Sequence, residues 1–388
     1  MIKIGIECES IEGESWGVGR VVKNLLEEIS RRPELSGQFQ FYLYFKERIP
    51  DYAFLDNQIF IKKITRPGWL SFVPFSFNIH YHIYLIARAY LDGVSTLYFA
   101  NYMLPMLWFK KSIVMLTDDV FYEMNSSAVP FRYRLAYNIF CRWAALRATR
   151  IMAISETSRQ HVARLFGIKA TKIFTNYLGI EQSRRQWAES SKENENTSPS
   201  SLAPRHYLLF VGQAFPRRHL KESLEAFEKI APEFPDLQFI AVGGDKYNPP
   251  IVDALVGHIN GRLGSERIIR KHYVTDEELA ELFKNAQAVV YISTKEAFGL
   301  PPLEALAYGT APIIANTTLT HELFHDSAFF VERAGSPDDI AKVMKEALTD
   351  TAKRQRIIDS GKHIISQYTW KAHTDKFLEV ARQIAVGN

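Results

Sequence analysis

The chain has 388 residues, of which 47% are hydrophobic and 23% charged, with a formal net charge of +4. That length exceeds what one ordinary core supports, so two domains are expected, and so small a charge excess makes no case for a nucleic-acid partner. Cys8 and Cys141 give neither a disulfide framework nor a metal-binding spacing, no apolar run reaches the length of a spanning helix, and Lys3 and Glu7 near the start argue against a signal peptide, so a cytoplasmic protein is expected.

Residues 2–8 are rich in β-branched side chains and read as a first strand. Gly17-Val18-Gly19-Arg20 then leads into a helix with apolar residues at Val21, Val22, Leu25, Leu26 and Ile29. Glycines there let a phosphate or sugar approach a helix N-terminus, and they equally suit a tight turn. Residues 39–45 read as the second strand. The segment from Arg66 to Phe77 is aromatic and interrupted by Pro67, Gly68 and Pro74, which rules out one regular helix. Two readings stand: an irregular lid on the core, or an exposed apolar loop from Trp69 to Phe77 that meets a lipid-linked acceptor at a membrane.

Strands are expected over residues 95–99 and 112–116. The second runs into Thr117-Asp118-Asp119, and neighbouring carboxylates of an extended chain point apart, so no metal site is assigned there. Residues 135–147 read as a helix; its Arg142 and Arg147, with Arg132, Arg134 and Arg150, form a basic cluster that is either a solvated face or a dock for anionic lipid. A strand over 151–154 follows, and Ser155 supplies the N-cap of a helix to Phe166.

Residues 189–204 lack apolar periodicity and read as a flexible linker between a first domain, 1–188, and a second, 205–370. Residues 206–211 open the second set of strands. Gly212, Arg217 and Arg218 then precede a helix with Leu220, Leu224, Phe227 and Ile230 at helical spacing, an anion site suited to a diphosphate. A strand over 238–242 ends in Gly243-Gly244, and Thr275 caps a further helix. Between apolar runs at 288–293 and 311–315, the residues from Thr294 to Gly309 read as loop then helix, with Pro301 and Pro302 in the first turn and Gly309 as the stop. Glu296 is expected in the loop and Glu304 in the first helical turn, beside the backbone N–H groups of Phe298, Gly299 and Leu300. An ionised carboxylate accepts from two neighbouring hydroxyls, as a sugar or ribose diol presents them. The plainer alternative makes Glu304 a complement to the helix dipole and Glu296 a solvated loop charge.

The stretch from Glu296 to Gly309 resembles the E-x7-E signature of the family 4 retaining glycosyltransferases, including Phe298-Gly299-Leu300-Pro301 and Leu303-Glu304-Ala305. That resemblance implies the GT-B fold, an α/β architecture of two Rossmann-like parallel-sheet domains facing a cleft. The first would take the acceptor, with a helix over 371–388 packing back on it, and the second would take the donor. It implies glycosyl transfer with retention, Glu296 meeting hydroxyls of the donor sugar and Glu304 the nucleotide ribose. Residues 208–227 resemble the family's phosphate-binding turn, with Arg218 where lysine is usual, and Gly17 and Gly19 resemble its glycine turn. Asp118 stands where the family commonly has a histidine beside the reacting sugar, which leaves Asp118 as a candidate acceptor-side catalytic group. A nucleotide-diphosphate sugar is expected as co-substrate with no cofactor and no metal, because Arg217 and Arg218 would meet the charge of the departing diphosphate. The expected partners are that donor, a glycan, lipid-linked or small-molecule acceptor, and an anionic surface at the inner face of the cell membrane. A nucleotide-sugar epimerase and a non-catalytic nucleotide-sugar-binding partner are the rival readings, and Asp118 favours the latter.

Overall fold

The structure, a computed structural model, describes residues 1–13, 17–66, 79–118, 121, 131–180 and 206–386. They form two compact units, Met1–Gly179 with Trp370–Asn388, and Ile180–Thr369. The segment from Trp69 to Phe77, Asp119 and the connector at 189–204 lie outside the described residues.

The first unit runs β1 (Ile2–Glu7), α1 (Val18–Ser30), β2 (Phe39–Phe45), β3 (Phe60–Ile64), α2 (Leu85–Leu91), β4 (Thr96–Phe99), β5 (Lys111–Met115), α3 (Phe131–Arg147), β6 (Arg150–Ala153), α4 (Glu156–Phe166) and β7 (Ile173–Thr175). Its parallel sheet has the order β3-β2-β1-β4-β5-β6-β7. Inner strands of such a sheet are covered on both faces, so they read as near-continuous apolar runs. Ile4, Ile6, Phe41, Leu43, Phe45, Leu97 and Phe99 are accordingly buried. Helix α1 begins at Val18 with Gly17 as N-cap at φ 53°, so Gly19 lies inside the first turn and is buried, not in the turn before it.

The second unit runs β8 (Tyr207–Val211), α5 (Leu220–Ile230), β9 (Gln238–Val242), α6 (Val252–Leu263), β10 (Ile268–Lys271), α7 (Asp276–Asn285), β11 (Ala288–Tyr291), α8 (Leu300–Ala307), β12 (Pro312–Ala315), α9 (Thr318–Phe324), β13 (Phe329–Val331), α10 (Pro337–Thr349) and α11 (Thr351–Gln367). Its parallel sheet has the order β10-β9-β8-β11-β12-β13. In each sheet the order reverses beside the first strand, between β1 and β4 and between β8 and β11. Open α/β sheets take ligands at the carboxyl ends of the strands at such a reversal.

The chain enters the second unit at Ile180 and leaves it at Thr369, where the two residues pair as a parallel bridge and the Ile180 N–H donates to Tyr368 O at 3.0 Å. It then returns to the first unit as α12 (Trp370–Val386). Phe377 of α12 packs its ring on Tyr98, centroids 5.0 Å apart, and both side chains are fully buried. His373 Nδ1 donates to Tyr177 O at 2.9 Å, and Asn176 Nδ2 donates to His373 O at 3.1 Å. Burial pushes the His373 imidazole down to about 4, against the opposing effect of its backbone partners.

Between about pH 6.5 and 4 the unfolded chain therefore binds a proton at His373 that the folded chain does not, and stability falls with pH across that window. From pH 7 to pH 5 this one group should remove about 2 kcal/mol of folding free energy. His373→Asn, which keeps a donor near the Nδ1 position and cannot charge, should flatten that acid limb. Chemical denaturation at the two pH values checks it, and parallel curves for wild type and variant would refute it.

Candidate functional site

The glutamate and arginine singled out in the sequence meet in the second unit, at the carboxyl ends of the neighbouring strands β8 and β11. After β8 the chain passes through Gly212 at φ 124°, and after β9 through Gly243 at φ 122°. A Cβ on Gly243 would sit 2.2 Å from the Gly212 carbonyl oxygen, so glycine is required where these backbones touch. A short turn, Pro216–Arg218, follows, and His219 at φ 46° starts α5. The Thr294 N–H donates to Arg217 O at 3.0 Å, and Arg217 Nε donates to Lys295 O at 3.1 Å, which ties the turn after β8 to the loop after β11.

Arg218 Nε donates to Glu296 Oε1 at 2.7 Å, and its Nη1 donates to Gln213 O at 3.0 Å. The same carboxylate oxygen accepts from Tyr291 OH at 2.9 Å and from Ser293 Oγ at 3.1 Å. Arg218 also lies over the Tyr291 ring at 5.2 Å, and Arg217 over the Phe215 ring at 4.2 Å. Burial pushes the Glu296 carboxyl up, but the Arg218 charge and hydrogen bond, the Arg217 charge and the Tyr291 hydroxyl outweigh it and hold the carboxyl below its ordinary value. Arg218 thus already has a carboxylate partner, and Glu296 is no solvated loop charge.

Phe298 is buried with its ring edge-on to Tyr368 at 5.6 Å. Gly299 at φ 100° is the N-cap of α8, without a side-chain cap. Because Pro301 and Pro302 have no N–H, the open donors at this helix start narrow to the backbone N–H groups of Gly299 and Leu300. Glu304 is the fifth residue of α8, in its second turn instead of its first, and is 2% exposed. Behind it, α11 presses on α8: a Cβ on Gly361 would meet Leu306 at 2.7 Å. At the N-terminus of α5, Glu222 accepts from its own backbone N–H, so an internal carboxylate already meets part of that positive end.

Asp118 belongs to the first unit and lies just past β5. Its Oδ1 accepts from Ser158 Oγ at 2.8 Å and its Oδ2 pairs with His161 Nδ1 at 2.8 Å. Sequence reasoning missed both partners. The signal was there in outline: Ser158 and His161 are three apart on α4, whose start is fixed by Ser155 accepting from the Ser158 N–H. Gly17 and Gly19 are also in the first unit.

Residues 191–364 match the family model described as glycosyl transferases group 1. The O-antigen chain mannosyltransferase B of Escherichia coli is 27% identical over 227 residues, 58% of this chain and 58% of that protein. The chain spans from 24% to 58% of the length of the first curated relatives it matches. Among solved structures, a sucrose-phosphate synthase from Thermosynechococcus elongatus shares the fold with a TM-score of 0.75 at 17% identity, over 100% of both chains. Anabaena HepE, solved in complex with UDP and glucose, gives a TM-score of 0.69 at 16% identity, over 99% of this chain and 100% of that one.

The touching glycines make a sharp expectation. Gly243→Ala combines a clash with backbone and a φ that L side chains rarely adopt, so it should destabilise the second unit by about 2–4 kcal/mol. Gly257→Ala, in open space on α6, should be neutral or slightly stabilising. Denaturation midpoints of the two variants check this, and equal midpoints would contradict it.

Proposed function

The chain has the GT-B fold and resembles the group 1 glycosyl transferases, and on that footing we propose that it is a retaining, metal-independent hexosyltransferase. The reaction moves a hexose from a nucleoside diphosphate sugar to a glycan or lipid-linked acceptor in polysaccharide or glycoconjugate synthesis. The observation that carries this reading is the Arg218–Glu296 pair at the β8–β11 reversal. All three described bonds to Glu296 fall on Oε1, which leaves Oε2 to accept from a hydroxyl of the donor sugar. As the bond from the anomeric carbon to the diphosphate breaks, negative charge develops on the leaving oxygen, where Arg217 and Arg218 stabilise it without a divalent ion. Glu304 takes the ribose diol. The complex of HepE with UDP and glucose supports a nucleotide-sugar donor, and the mannosyltransferase relative makes a mannosyl donor the first to try.

The same reading sets the enzyme against the anionic inner face of a membrane. Exposed Phe131 (68%), Leu135 (48%), Ile139 (48%) and Leu146 (65%) form one stripe along α3, joined by exposed Arg142 and Arg147, and α3 carries no acidic residue. A depression of about 570 Å³ lined by Leu146, Arg150, Lys169 and Lys172 adjoins the end of that stripe. An exposed apolar stripe with such a basic border suits an anionic lipid surface.

Four outcomes are expected. Glu304→Gln should weaken binding of the free nucleoside diphosphate by about 1.5–3 kcal/mol. Glu296→Gln releases Arg218 for the diphosphate, so it should keep or slightly raise nucleotide affinity while lowering turnover. Calorimetric titration decides between them, and identical nucleotide affinities in wild type and Glu304→Gln would remove the ribose role. Transfer measured with excess chelator should persist; loss in chelator with recovery in magnesium would defeat metal independence. Finally, the chain should co-sediment with phosphatidylglycerol vesicles at low salt and come off at high salt, and Ile139→Asp should abolish it. Sedimentation no better than with neutral vesicles would sink the membrane part.

A further inference from the structure

We infer that His161 is the acceptor-binding imidazole of the first unit: its Nε2 accepts a hydrogen bond from a hydroxyl of the glycosyl acceptor, and Asp118 is the positioning residue that fixes its tautomer. This rests on the transferase reading and extends it to the other substrate. The geometry is that of an oriented ring. Asp118 retains 9% of its side-chain exposure and His161 retains 38%, so the carboxylate lies behind and the imidazole in front. An ionised carboxylate has no proton to give, so the Nδ1–Oδ2 contact requires the hydrogen on Nδ1, and the neutral ring then carries its lone pair on Nε2. No described bond takes that nitrogen.

Ser158 on Oδ1 completes the orientation by preventing the carboxylate from rotating. The pair stands at the carboxyl edge of the sheet, since Asp118 follows β5 and α4 follows the neighbouring β6. Another carboxylate at this edge, Glu7, offers a contrast. Its oxygens are held by backbone and amide donors, the Glu9 N–H at 2.7 Å and Asn101 Nδ2 at 3.1 Å, and not by an exposed imidazole. Desolvating the Asp118 carboxylate opposes folding, and the arrangement holds an acceptor nitrogen at a fixed place.

The test uses the full chain with methyl α-mannoside as the acceptor probe. Two-bond proton–nitrogen NMR of the histidines should show His161 protonated on Nδ1, and Asp118→Asn should shift the population toward the other tautomer, a change that mere loss of packing would not produce. With nucleoside diphosphate bound, methyl α-mannoside should move the His161 Nε2 resonance. His161→Phe should raise the acceptor KM at least tenfold and leave the nucleotide Kd within twofold, and His161→Gln should recover part of the loss. A wild-type ring protonated mainly on Nε2 overturns the inference. So does an Nε2 resonance that ignores the sugar in a protein that binds nucleotide, or a His161→Phe variant whose nucleotide Kd rises as much as its acceptor KM. A wild-type chain that binds no nucleoside diphosphate instead fells the transferase reading, and this inference with it.

Discussion

The Glu296 side chain retains 13% of its exposure and Arg218 retains 14%, and ionised groups so far from water persist only when paired and hydrogen-bonded. Their contact joins the turn after β8 to the loop after β11, beside the Thr294–Arg217 and Arg217–Lys295 hydrogen bonds. Removing one partner of such a pair destabilises by about 3–5 kcal/mol, so the pair is a structural tie in its own right. Tyr291, the last residue of β11, and Ser293, just past it, fix the carboxylate. In the proposed transfer, a carboxylate and guanidinium held this way would leave little reorganisation for the reaction.

What could be read in the sequence follows the depth of each strand. Inner strands such as β2, β8 and β11 are covered on both faces and announce themselves as apolar runs. The unannounced strands β3, β7, β10 and β13 are the four sheet edges. Phe60–Ile64 and Ile268–Lys271 mix lysine or arginine with isoleucine because one side is open, and charges on an edge also blunt its pairing with other chains. β7 and β13, at three residues each, are too short to show any periodicity.

The site was legible in kind and not in arrangement. Glu296, Glu304 and the glycine turn at Gly212 stand out as residue types in a loop–helix pattern. The Arg218–Glu296 contact joins residues 78 apart and depends on β8 and β11 being neighbours, which no local spacing encodes. Glu304 fell one turn deeper because Leu300, and not a later residue, begins α8. His161 was invisible for the same reason as Arg218's partner: its contact with Asp118 requires β5 and β6 to lie side by side.

The chain leaves the first unit after Gly179 and re-enters it at Trp370, so the second unit is continuous and the first is not. Synthesis proceeds from the N-terminus and domains tend to fold as units when they are complete. The second unit is therefore complete as soon as Thr369 has emerged, while the first still has Tyr98 without its Phe377 cover and the Tyr177 carbonyl without His373. The unit that begins first is finished last, and until α12 arrives the nascent chain carries an open apolar face that is a natural target for chaperones.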